Sequence, residues 1–124
     1  METEKATVIF EALTSEARLS IFRLLIKYAP DGLFAGEISR MLGIPKTNLS
    51  FHLKTLVHSG LISMEREGRN TRYKANIHLM METISFLTAE CCSGDSEKHR
   101  VCNIRANVSE NKISQSNDIS LLTA

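Results

Sequence analysis

The sequence predicts a mainly α (α+β) domain: four helices, a β-hairpin and a final helix. Three observations predict it. Apolar residues recur at helical spacing up to Ser59, the period shortens to two after Gly60, and helical spacing returns after Asn76. With 124 residues, the chain is long enough for one domain and too short for two ordinary ones.

Residues 4–13 read as a short helix with Val8, Ile9, Ala12 and Leu13 on one side. Thr14 or Ser15 is placed to cap a second helix by accepting an orphan backbone N–H, and Glu16 suits its first turn. Ile21, Leu24, Leu25 and Tyr28 form its apolar stripe, and Pro30, Asp31 and Gly32 end it. A short helix over residues 34–42 turns Ile38, Met41 and Leu42 inward, with Gly43 at the left-handed C-terminal position. Gly43 and Pro45 enforce a tight turn before a helix over residues 46–59, which Gly60 stops. Strands over 61–65 and 71–75 then flank a polar loop of Arg66, Glu67, Gly68, Arg69 and Asn70. Asn76 is placed to cap the last helix, whose apolar stripe is Ile77, Met80, Met81, Ile84, Leu87 and Cys91. This order is the plan of a winged helix-turn-helix. Residues 1–92 are expected to form that domain, and 93–124 a cysteine-containing loop and a mostly disordered, Ser- and Asn-rich tail.

Composition agrees with a globular chain: 43% of residues are apolar and 23% charged. No run of eighteen apolar residues occurs, and the first residues are neither basic nor followed by an apolar segment, so a cytoplasmic protein is expected. The net charge of +1 hides a strong asymmetry. Residues 38–76 hold seven basic side chains (Arg40, Lys46, Lys54, Arg66, Arg69, Arg72, Lys74) against two acidic ones (Glu65, Glu67), while each flank is net negative. A central cationic segment attracts a polyanion, and acidic flanks keep the rest of the molecule away from it.

The helix over 46–59 sharpens that expectation. On a wheel at 100° per residue, Leu53, Leu56 and Val57 fall within about 80° of Leu49 and form one inward stripe. The opposite face gathers Thr47, Asn48, Phe51, Lys54, Thr55 and His58, flanked by Ser50 and His52, and the helix contains no Asp or Glu. Such a face suits the negative field of a major groove, although short polar residues also simply face water. Asn48 and Ser50 are candidates for hydrogen bonds to base edges and Phe51 for packing on a thymine methyl. Lys46, Thr47 and Lys54 suit phosphates. His52 fits a phosphate contact or a partly buried packing role equally. Arg69 and Arg72 on the hairpin are placed to reach an adjacent minor groove or its phosphates, or to sit in a solvated turn.

Several stretches together resemble the arsenical-resistance (ArsR/SmtB) family of repressors. They are residues 13–25, the turn at 42–45, the run Asn48, Leu49, Ser50, Phe51, His52, Leu53, then residues 59–62 and 68–73. The resemblance covers roughly residues 6–92. It implies a homodimer paired through the first and last helices, an apo form that represses an inverted-repeat operator, and release on binding a metal or metalloid. Phe51 departs from the family pattern, where a polar residue is commoner. That bears on which operator is read, not on how it is bound.

The family's frequent cysteine site at the start of the motif's first helix is missing here, where Leu33, Phe34, Ala35, Gly36 and Glu37 stand. Its zinc site on the last helix is not expected either: His78 and Glu82 make one i, i+4 pair, with no second pair to match. There remain Cys91, Cys92 and Cys102, an odd number of thiols with no disulfide framework to serve. Three thiolates around As(III) or Sb(III) make a neutral three-coordinate pyramid, and the resemblance implies the same use. Without Cys102, the pair suits a monomethylated trivalent arsenical. Alternatives remain. Cys91, Cys92, His99 and Cys102 are a donor set for zinc or cadmium, and the thiols are also candidates for a redox switch. Burial of Cys91 in the apolar stripe would leave Cys92 unexplained. No nucleophile elbow, phosphate loop or paired-carboxylate arrangement occurs, so neither an enzyme nor a catalytic cofactor is expected.

Overall fold

The computed structural model describes residues 1–90. Cys91, Cys92, His99 and Cys102, the expected boundary at 92/93 and the tail lie outside the described residues. The elements run α1 (Thr3–Ala12), α2 (Glu16–Lys27), β1 (Leu33–Phe34), α3 (Ala35–Leu42), α4 (Lys46–Ser59), β2 (Ile62–Glu67), β3 (Asn70–Ala75) and α5 (Ile77–Leu87). Contacts divide the chain between Ile84 and Ser85, inside α5, and the packing described below is that of Met1–Ile84.

Helix ends follow local chemistry. Ser15 caps α2, its hydroxyl accepting the Arg18 N–H at 3.4 Å. Arg18 reaches back, and its Nε donates to the Ala12 carbonyl at 2.7 Å, closing the last turn of α1. Glu37 Oε1 accepts the Phe34 N–H at 3.0 Å and starts α3. Gly43 (φ 66°) and Gly60 (φ 87°) end α3 and α4 in the left-handed region. Ser39 stitches the turn between them: its hydroxyl donates to the Ile44 carbonyl at 2.6 Å, and its own carbonyl accepts the Ile44 N–H at 3.2 Å.

The core is built from one face of each helix: Ile9 and Ala12 of α1, Ile21, Phe22 and Leu25 of α2, Ile38 of α3, and Leu49, Leu53 and Leu56 of α4. Leu33 and Ile62 of the sheet, Leu61 just before β2, and Leu79 of α5 close it. Two expected inward residues are exposed, Tyr28 and Met41. Phe22 is buried in the core, and Leu42 packs partly buried against it. On α1, Val8 is exposed while Ala6 is buried, so the buried face is Ala6, Ile9 and Ala12. On α5, Leu79 and Thr83 are the buried pair, and Ile77, Met81, Ile84 and Leu87 are exposed. Met80, also of the expected stripe, packs partly buried against the core.

The sheet is antiparallel in the order β1-β3-β2. The hairpin is tighter than the expected five-residue loop. Glu67 pairs with Asn70, leaving a two-residue turn of Gly68 and Arg69. Gly68 has φ 61° and no non-glycine residue has positive φ, the sign pattern of a type II′ turn. β1 was not expected from the sequence: two residues, Leu33 and Phe34, pair with Tyr73 and Arg72. Gly32 makes this pairing possible. At φ +75° it passes so close to β3 that a Cβ would strike the Tyr73 carbonyl oxygen. Asn76 joins α5 to the end of α4, its Nδ2 donating to the Gly60 carbonyl at 3.1 Å and its Oδ1 accepting the Leu79 N–H at 3.1 Å.

Two glycines with similar φ thus sit in opposite surroundings, since Gly68 has nothing within 4 Å of a would-be Cβ. Gly68→Ala should cost about 1 kcal/mol, the strain of the left-handed region alone. Gly32→Ala should cost about 3 kcal/mol, because backbone must move as well. Urea unfolding of both variants measures the difference, and equal costs would contradict the close approach of Gly32 to β3.

Candidate nucleic-acid interface

The buried stripe of α4 decides what the rest of the helix presents. With Leu49, Leu53 and Leu56 inward, Lys46, Thr47, Asn48, Ser50, Phe51 and Lys54 are all exposed, and His52 is half-buried. Phe51 is 74% exposed. The Thr55 hydroxyl, on the same face, donates to the Phe51 carbonyl at 3.2 Å and is engaged with its own helix. The backbone N–H groups of the first turn and the two lysines make the field of this face positive, with no carboxylate on the helix to oppose it.

The hairpin stands beside α4. Between them lies a cleft of about 310 Å³, bordered by Lys46 and Ser50 of α4, Arg69, Asn70 and Thr71 of the hairpin, and Gly36 of α3. Two cations from separate elements therefore line one concave surface, a shape and charge suited to a phosphate backbone. Gly36 leaves open space on its side of the cleft, with nothing within 4 Å of its Cβ position.

The four basic residues of the hairpin divide into two pairs. Arg72 is held on three sides: its Nε meets Glu67 Oε2 at 2.5 Å, its Nη1 donates to the Asp31 carbonyl at 3.3 Å, and its guanidinium lies 4.2 Å from the Phe34 ring centroid. It fastens the hairpin to the loop before α3. Lys74 pairs with Glu65 at 2.9 Å. The hydrogen bond and charge of that ammonium hold the Glu65 carboxyl below its ordinary range. Among the described residues no ion pair occupies Arg66 or Arg69. Arg66, expected in the polar loop but not among the DNA-contacting residues, stands opposite Thr71 in the register, on the sheet face that also carries Tyr73. Thr71 and Tyr73 both line the cleft. The missed signal was strand parity, legible only once the turn is known to be two residues long. Among the described residues, no group of three or more His, Cys, Asp or Glu side chains is arranged to hold a metal ion, and no helix is long and apolar enough to cross a membrane.

An exposed, acid-free helix preceded by a tight turn and flanked by a cationic hairpin defines a helix-turn-helix DNA-binding protein. Comparison with known proteins agrees. Residues 13–65 match the model of a helix-turn-helix domain family. The uncharacterized HTH-type transcriptional regulator YceK of Bacillus subtilis is 40% identical over 65 residues, which are 52% of this chain and 63% of YceK, so the match spans less than two thirds of that relative. The structure of HlyU from Vibrio cholerae is 30% identical with a TM-score of 0.56, covering 72% of this chain and 99% of that one. HlyU is described as a transcriptional activator. An ArsR-like transcriptional regulator from Rhodococcus sp. RHA1 shares the fold at 22% identity and a TM-score of 0.59, over 91% of this chain and 95% of that one. The chain belongs to the helix-turn-helix transcriptional regulators, and it shares the winged fold of the ArsR-like neighbour. It is a DNA-binding regulator and not an enzyme.

The two pairs of hairpin cations should separate by experiment. Arg66→Ala and Arg69→Ala should each reduce the slope of log affinity against log salt by about one, with stability changed by less than about 0.5 kcal/mol. Arg72→Ala should instead lower stability by about 1 kcal/mol through loss of the clamp. Salt-dependent fluorescence anisotropy on a DNA duplex and thermal unfolding distinguish the two classes, and a neutral Arg72→Ala would refute the structural role.

Proposed function

We propose that the chain is a homodimeric transcriptional repressor acting in the cytoplasm. In the apo form it occupies an inverted-repeat operator, and it leaves when As(III) or Sb(III) binds Cys91, Cys92 and Cys102. The observation that carries the DNA-binding half is the acid-free face of α4, whose Lys46 lines one cleft with Arg69 of the hairpin. Lys46, Thr47, Lys54 and Arg69 serve the phosphates. Asn48, Ser50 and Phe51 face the base edges, and His52 flanks them.

Dimerisation is supported by the apolar side chains left outward on two helices, Val8 and Phe10 on α1 and Ile77, Met81 and Ile84 on α5. A small domain has few other uses for apolar faces on its first and last helices. Two copies related by a twofold axis would set two α4 helices about one DNA turn apart.

The inducer is argued from donor chemistry. The chain's only three cysteines fall within twelve residues, two of them adjacent. Three thiolates neutralise a trivalent metalloid, whereas a divalent cation on the same donors keeps a negative charge. Coupling to DNA has a physical route through the start of α5. Asn76 ties the start of that helix to Gly60 at the end of α4, and Leu79 lies 3.2 Å from the Gly60 Cβ position. A ligand that binds one α5 arrangement more tightly would shift the population of α4 orientations by its differential affinity.

Titration of the operator complex with arsenite, antimonite, zinc and cadmium tests this. Arsenite and antimonite should dissociate it at stoichiometric concentration, and Cys91→Ser, Cys92→Ser and Cys102→Ser should each abolish the response while leaving apo binding intact. Release by zinc or cadmium alone would point to the set that includes His99, and release by an oxidant alone to a redox switch. A reporter gene reads the sign of regulation. In a second experiment, Val8→Glu with Ile84→Glu should give a monomer by light scattering and lower operator affinity more than tenfold. A dimer of unchanged affinity would place the interface elsewhere.

A further inference from the structure

Phe51 is an anomaly of the DNA-facing surface. It is the most exposed large apolar side chain among the described residues. It stands at the middle of a helix whose other outward residues are polar or basic, and it contributes nothing to the core. One turn before it, Asn48 is also exposed. Thr55, one turn after it, has its hydroxyl engaged on the Phe51 carbonyl. The helix contains no arginine, the residue that most often reads guanine.

The chemistry of the groove narrows what covers the ring. Hydrogen-bond donors and acceptors line the floor of the major groove, and the one apolar group presented there is the thymine C5-methyl. The positive field around the ring, from Lys46 and Lys54 with no carboxylate on the helix, favours a nucleic acid over an apolar protein patch as the occupant. The exposed apolar residues that suit a second copy of the chain lie on α1 and α5, not on α4.

We propose that Phe51 is a specificity-determining residue that packs on the C5-methyl of a thymine in each operator half-site, with Asn48 pairing to an adjacent adenine. The centre of the half-site read by α4 is then A·T. This rests on the DNA-binding reading given above and adds to it a particular atom on the DNA. Replacing thymine with deoxyuridine deletes that methyl and leaves every hydrogen-bonding group in place. Burying one methyl corresponds to about a fourfold change in affinity.

The test uses the full-length chain. Its preferred site is first selected from a random-sequence duplex pool. Each thymine of that site is then replaced singly by deoxyuridine, and affinities are measured for the wild type and for Phe51→Ala. Being so exposed, Phe51 can be truncated without loss of core packing, and the phosphate contacts keep the variant's binding measurable. The expected result is one thymine per half-site whose replacement weakens the wild type about fourfold and Phe51→Ala not at all. A specific site with no sensitive thymine, or with equal loss in both proteins, would overturn the proposal while leaving the DNA-binding reading standing. Failure to select any sequence would overturn both.

Discussion

The packing of Leu49, Leu53 and Leu56 against the core is the constraint on which the rest depends. Each buried leucine is worth about 1.5–3 kcal/mol, so the stripe holds α4 at one rotation about its axis. A rotation by one residue would bury Ser50 and Lys54 and expose the leucines. The hydrophobic effect thus fixes not only that a helix forms but which six or seven polar side chains it shows. α1, α2 and α3 supply most of the surface that accepts the stripe, and Ser39 with Gly43 sets the angle at which α3 hands the chain to α4. Functional geometry is here a by-product of core packing.

The hairpin has a different basis. It buries little, with Ile62 the one buried residue of β2, so its position depends on specific ties. Leu33 and Phe34 pair with Tyr73 and Arg72, and the Arg72 guanidinium gathers Glu67, the Asp31 carbonyl and the Phe34 ring. These ties draw on cations that a count of charges assigns to the surface field. Arg72 and Lys74 have carboxylate partners, and Arg66 and Arg69 carry the charge at the tip. A field felt at long range depends on the total, but a contact depends on which cations are free to move to a phosphate.

Legibility in the sequence follows the range of the interactions concerned. Helix periods, the Ser15 and Asn76 caps and the glycines at 43 and 60 act over three or four residues, and α4 runs over the very residues that its spacing predicts. The inward stripe of α4 and its exposed opposite face were legible for the same reason. β1 was not, because two residues have no period and their partners lie about forty positions away. Nor were the exposures of Tyr28 and Met41, since a stripe shows that a residue faces the core side and not whether a neighbour reaches over it. The engagement of Arg72 and the availability of Arg66 depended on register, which the length of the turn fixes and the composition of the turn left open.

α5 connects the two kinds of surface. Its first turn is pinned: Asn76 bonds the Gly60 carbonyl, its backbone N–H donates to the Leu61 carbonyl at 2.8 Å, and Leu79 fills the space where a side chain at position 60 would stand. The same helix leaves Ile77, Met81 and Ile84 outward. A joint of this kind is stiff at the α4 end because it combines hydrogen bonds with close packing of Leu79, 3.2 Å from the Gly60 Cβ position. Any change that reorients α5 must therefore either carry the end of α4 with it or break the Asn76 bonds. Each broken hydrogen bond costs about 1 kcal/mol, and that cost resists turning α5 without α4. The placement of Asn76 thus ties the helix that bears the outward apolar residues to the helix that bears the acid-free face.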